Sequence, residues 1–294
     1  MTFASLILLL IKLSIVLSVL AIGLKATPDS SVYLFRRPAD LVKALLSMNV
    51  VMPLIAVLLC FTFALNPAVK IALVTLSVSP VPPILPNKAL KAGGKEEYTI
   101  GLLVATALLS IVFIPLTVEV FQAISGIPMQ VSAFQVAKLV LTSVLVPLLL
   151  GIAVRYFSTS IADRLARPLA MIGLLVLVVC VLPILFVAAR SLLTVIGDGT
   201  LIALAVFAVV GLIAGHLLGG PDPDNRIVLA LATSSRHPAV ALAVAHANFP
   251  AQKLAGALVL VYLVLSALLA APYMRWNKRI RTSQGNEKHV GARP

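Results

Sequence analysis

Nine apolar runs divide almost the whole chain: 3–23, 40–64, 69–87, 98–121, 134–156, 165–189, 200–218, 226–248 and 254–275. Each is near the roughly 20 residues that a helix needs to cross about 30 Å of hydrocarbon. Inside a bilayer every backbone N–H and C=O must pair within the protein, so runs of this length are expected to be helices. Composition excludes the soluble alternative. With 61% hydrophobic and 11% charged residues and a mean hydropathy of +1.10, a chain of this size has too little polar surface to cover itself in water. The predicted fold class is an all-α polytopic membrane protein of about nine transmembrane helices. A single transmembrane domain, residues 1–275, is expected, with no separate soluble domain. A basic cytoplasmic tail, 276–294, follows it and is predicted to be disordered. The first run lacks a basic leader and carries Lys12 in its middle, so it reads as a spanning helix rather than a signal peptide.

The net charge of +13 does not point to nucleic acid, because the basic residues are scattered between apolar runs. With the N-terminus placed outside, the odd-numbered loops and the C-terminus hold 17 Lys and Arg. The even-numbered loops hold four, Lys70, Lys138, Arg190 and Lys253, while Lys12 and Arg236 fall within runs. That asymmetry predicts a multi-pass protein of a bacterial-type inner membrane, N-terminus outside and C-terminus cytoplasmic. Cys60 and Cys180 lie in apolar runs without ligand spacing and read as packing side chains.

The chain also resembles itself. Displaced by 156 positions, the segment from Lys70 to Pro82 lies over that from Arg226 to Pro238, matching Pro67 with Pro223, Ser79 with Ser235 and Pro82 with Pro238. The same offset places Ser110 on Ser266. The paired runs are the third and eighth; five spans apart means opposite orientation. Two inverted repeat halves are therefore predicted, roughly 1–125 and 130–275.

Both paired runs are interrupted at corresponding places. The third holds four prolines in the seven residues from Pro80 to Pro86, followed by Asn87; the eighth holds Ser234-Ser235-Arg236-His237-Pro238. Proline removes a donor and clashes with the preceding turn. Non-helical backbone at membrane depth survives only where protein or water satisfies it, and matched breaks in inverted halves mark the binding site of a secondary transporter. Packing kinks are the plainer explanation for either break alone. The candidate substrate-binding residues are Ser234, Ser235, Arg236, His237, Pro82 and Pro83. The candidate ion-binding or coupling residues are Ser79, Asn87, Thr106, Ser110 and His237. No Asp or Glu lies in the core of a run, so the charge of Arg236 is to be met by freed carbonyls, by snorkelling or by an anionic substrate. His237 can relay protons or hydrogen-bond a carbonyl, the second being favoured. Thr106 and Ser110 share a helix face at i, i+4, but such hydroxyls often bond back to their own backbone.

At these residues the chain resembles the bile acid:sodium symporter family. The resemblance runs through Ala21-Ile-Gly-Leu-Lys25, Phe35-Arg-Arg-Pro38 and Met52-Pro53-Leu, then the break from Pro80 to Asn87, then Ser235-Arg-His-Pro-Ala-Val-Ala-Leu-Ala. It implies a panel domain and a core domain with two broken helices crossing near the centre, and transport of organic anions together with sodium. The partners implied are a small organic anion and the lipid bilayer; no cofactor is implied beyond sodium itself. Ala232 stands where the family carries a sodium-ligating Glu, and Val and Pro replace the glycines of the first break. Arg236 is therefore expected to substitute for one sodium ion, with coupling shifted to protons or lost. An enzyme is not expected. Ser234 and His237 form no nucleophile elbow and have no orienting acid, which leaves an intramembrane hydrolase or a non-transporting sensor as remote alternatives. Substrate identity and oligomeric state are not legible.

Overall fold

The computed structural model describes residues 3–290 except 83, 126–133, 135–137, 139–140 and 196–198. Among the described residues the regular elements are all helical. They are α1 (Phe3–Lys25), α2 (Pro28–Val32), α3 (Pro38–Leu45), α4 (Met52–Thr62), α5 (Pro67–Val78), α6 (Leu85–Ala92) and α7 (Glu96–Ser125), then α8 (Val146–Phe157), α9 (Thr159–Val195), α10 (Leu201–Leu218), α11 (Pro223–Ser234), α12 (Pro238–Asn248) and α13 (Lys253–Val290). A π-helical turn, Leu46–Val51, joins α3 to α4, and another, Leu141–Leu145, leads into α8. Among the described residues, four stretches have the length and hydropathy to cross a bilayer: Pro38–Thr62, Glu96–Phe121, Leu201–Leu218 and Lys253–Ile280. Pro67–Val78 and Leu141–Phe157 are shorter apolar helices.

The distribution of side chains suits lipid. Phe61 is 72% exposed and Leu217 74%, whereas Arg236, His237, Ser47, Thr233 and Ser234 are buried. In water that arrangement would be costly; in hydrocarbon it is the expected one. The protein is an all-α polytopic membrane protein.

The two broken segments are built alike. α5 and α11 are each 12 residues long and coincide at the 156-residue offset. Pro67 and Pro223 occupy the first turn, where a missing N–H is harmless. Asn66 accepts from the Ala68 N–H, and Asp222 from the Asp224 N–H, so both starts are capped. Both helices end on an extended serine, Ser79 with ψ 142° and Ser235 with ψ 131°. The stops have local causes. Ser79 precedes Pro80, and a residue before proline is pushed out of the α region; in the second break Pro238 has no N–H to give the Ser234 carbonyl four residues back. After each gap the chain resumes helix with a proline in the first turn, in α6 and α12.

α1 packs along α8 and α9, and α10 along α11. Close approach requires glycine at both contacts. A Cβ on Gly23 of α1 would collide with the Leu148 carbonyl oxygen of α8, and one on Gly215 of α10 with the Leu229 carbonyl oxygen of α11. Small residues at such crossings let membrane helices meet backbone to backbone. A second core joins α4, α5, α10 and α13 through Met52, Leu73, Leu76, Phe207 and Tyr262.

The last helix, α13, is drawn from Lys253 to Val290.

Candidate functional site

The breaks lie against each other. The His237 N–H donates to the Pro80 carbonyl at 2.9 Å, so the extended residues of one break supply a bond that those of the other have lost. Two further carbonyls of the breaks, those of Ser79 and Ser234, are met by side chains. Arg236 Nη1 donates to the Ser79 carbonyl at 3.2 Å and Nη2 to the Met48 carbonyl at 3.0 Å. The Tyr262 hydroxyl donates to the Ser234 carbonyl. Met48 lies in the first π-helical turn, whose altered hydrogen-bond register is a recurrent feature of functional sites. Ser47 in the same turn shares a 2.8 Å hydrogen bond with Thr233.

Arg236 therefore ties together the π turn, the end of α5 and the second break. It is 1% exposed, and among the described residues it makes no ion pair. Of the three ways its charge could be met, the observed one is by freed carbonyls. The guanidinium is held between two carbonyl oxygens.

Beside the breaks lies a cavity of about 470 Å³. One wall comes from α1 and α9, through Ser14, Ile15, Ser18, Ala170, Leu174 and Leu177 among others. The rest of the lining includes Pro82 and Ile84 of the first break, Pro86 at the start of α6, His237 and Pro238 of the second break, and Leu263, Val264, Ala267 and Leu268 of α13. The lining is largely aliphatic. Ser14 is committed to the Gly173 carbonyl at 2.6 Å. Lys25, at the end of α1, and Lys88, in α6, also line it. Both are half-buried, and among the described residues neither side chain makes an ion pair or a hydrogen bond. Two unneutralised ammonium groups on an apolar chamber favour a ligand with a negative end and an apolar body.

The sequence candidates divide. Pro82 and His237 line the cavity; Arg236, Ser234 and Ser235 are buried behind it and are not among its lining residues. Pro83 lies outside the described residues, as does the side chain of Asn87. Thr106 joins His237 around a smaller chamber of about 10 Å³. The hydroxyls of three ion-binding candidates bond within their own segments. Ser79 Oγ donates to the Leu76 carbonyl at 2.9 Å, Thr106 Oγ1 to Leu102 at 2.7 Å and Ser110 Oγ to Ala107 at 2.6 Å, the back-bonding alternative for membrane hydroxyls. The Ser79 carbonyl is already held by Arg236. Nor does His237 bond a carbonyl through its ring, the role the sequence favoured: both ring nitrogens are buried without a partner, as is Ser234 Oγ. Ser234 and His237 thus form no hydrogen-bonded dyad. Each orphaned polar atom costs roughly 1–3 kcal/mol.

Sequence reasoning did not name Lys25 or Lys88 as site residues, and it missed all of the α9 and α13 wall. A signal existed in α1, where Ser14, Ser18 and Lys25 recur at helical spacing along one stripe.

A family model described as the Sodium Bile acid symporter family matches residues 11–195. The match takes in α1 through α9 and the first break; the second break lies beyond it. No curated protein matches the chain.

Proposed function

The chain belongs to the sodium bile acid symporter family, a family of transporters, and we propose that it carries a small amphipathic organic anion across the inner membrane by alternating access. The observation that carries this reading is the 470 Å³ cavity walled on one side by both helix breaks and containing two unpaired lysines. In this reading α1, α8 and α9 form the panel and the remaining helices the core, nine spans in two inverted halves. The positive-inside asymmetry puts the C-terminus in the cytoplasm. Because the Lys25 and Lys88 loops then face the same side, the lysines stand at the cytoplasmic mouth. Rocking of the panel against the core about the crossed breaks exposes the cavity to each side in turn.

Arg236 takes the place of a coupling cation in this account. Its fixed charge sits at carbonyls freed by a broken helix, where half-helix ends attract positive charge. Transport is then independent of sodium, unlike that implied by the family description.

The test is obstruction. In liposomes holding the purified chain, counterflow of a labelled medium-chain carboxylate such as decanoate is expected. Ala267→Trp, which places an indole in the cavity wall, should reduce counterflow at least about tenfold, because interiors close-packed around a cavity leave no room for ligand and indole together. Counterflow by the Trp variant equal to that of the wild type would place the route elsewhere.

A further inference from the structure

His237, like Ile22, borders both the large cavity and the small chamber. It is 4% exposed, its backbone N–H is spent on Pro80, and both ring nitrogens lack partners. A neutral imidazole offers one donor and one acceptor. The small chamber, about 10 Å³, is at the threshold for a single water and can serve one nitrogen. The other is left for whatever fills the large cavity.

That partner is not the ligand's charge. Arg236 is the adjacent residue, Lys25 and Lys88 are the other ionisable groups on the cavity, and among the described residues no carboxylate borders either space. With cations as its charged neighbours, the imidazole is placed to meet an uncharged part of the ligand. The ligand's anionic end belongs with the lysines. Register along α1 gives the separation. Val19 and Ile22 share the small chamber with His237, and Lys25 lies three and six residues further on. At a rise of 1.5 Å per residue that is about 5–9 Å along the helix.

We propose that His237 is a specificity residue that reads an uncharged hydrogen-bonding group, a hydroxyl or a carbonyl, set back about 5–9 Å from the charged end of an otherwise apolar anion. This rests on the cavity being the transport site.

The test compares decanoate with a mid-chain hydroxydecanoate, binding to the full chain in lipid nanodiscs against protein-free nanodiscs. Wild type should bind the hydroxylated probe at least about fivefold more tightly, the scale of satisfying a buried polar atom. His237→Leu should bring the ratio to about one or below, and His237→Gln, which keeps a donor and an acceptor, should restore part of it. Equal binding of the two probes by wild type overturns the proposal without need of a variant. An undiminished preference in His237→Leu overturns it as well. Binding of neither probe to wild type overturns the transport reading itself, and this inference with it.

Discussion

Arg236→Gln is expected to weaken anion binding about thirtyfold while changing the stability of the protein much less. The two effects separate because they have different origins. Removing the guanidinium charge removes on the order of 2 kcal/mol of attraction for an anion about 8 Å away at an effective dielectric of about 20, which corresponds to that loss of affinity. For stability the terms oppose each other. The Ser79 and Met48 carbonyls lose donors, at roughly 1–3 kcal/mol each if nothing replaces them. Against this, a buried charge with no acidic partner is no longer taken out of water, which relieves a penalty of several kcal/mol. Arg236→Lys sharpens the comparison. An ammonium keeps the charge but lacks the planar fork that bridges two carbonyls, so binding should survive while turnover falls. Ligand affinity and counterflow rate, measured on all three proteins, check this. Unchanged affinity in Arg236→Gln would make Arg236 purely a structural tie between the breaks.

The largest effect on affinity is expected at the lysines. Lys25→Gln with Lys88→Gln should weaken binding of decanoate by about a hundredfold, and the double Glu variant should abolish it. Each ammonium at about 4 Å contributes up to about 4 kcal/mol at an effective dielectric of about 20. Both groups are half-buried, so screening by water takes back a large part of that. The loss should shrink as salt is raised. Because neither lysine has a protein partner, neutralising them leaves no orphaned carboxylate and the fold should tolerate it. Binding of decanoate by the double Gln variant at wild-type strength would show that the anion sits elsewhere. Decanol is the control: lacking charge, it should bind both proteins alike.

What the sequence shows about this molecule follows from the range over which each cause acts. The breaks were legible because proline acts on its own residue and the one before it, so Pro80 and Pro238 mark their sites without any knowledge of packing. The 156-residue offset was legible because Pro67 and Pro223 mark helix starts locally, whereas the caps at Asn66 and Asp222 emerged only from the structure. The cavity was not. It depends on α1, α9 and α13 meeting, and nothing in Leu174 or Leu263 distinguishes a chamber wall from a lipid face. Lys25 and Lys88 were visible but indistinguishable from the loop charges that orient a chain. The π turn at Leu46–Val51 carries no proline or glycine, so the carbonyl that holds Arg236 could not be foreseen. Thr106 and Ser110 show the converse case: their i, i+4 spacing suggested shared ligation, and bonds within each residue's own helix took precedence.

If a built-in guanidinium replaces a coupling cation, transport has no need of sodium, and replacing sodium shows it. Initial uptake of labelled anion into proteoliposomes should be the same with sodium or with choline outside at constant ionic strength, and an imposed sodium gradient should drive no accumulation. Uptake that appears only with sodium, and concentrates the anion in proportion to its gradient, would contradict the account.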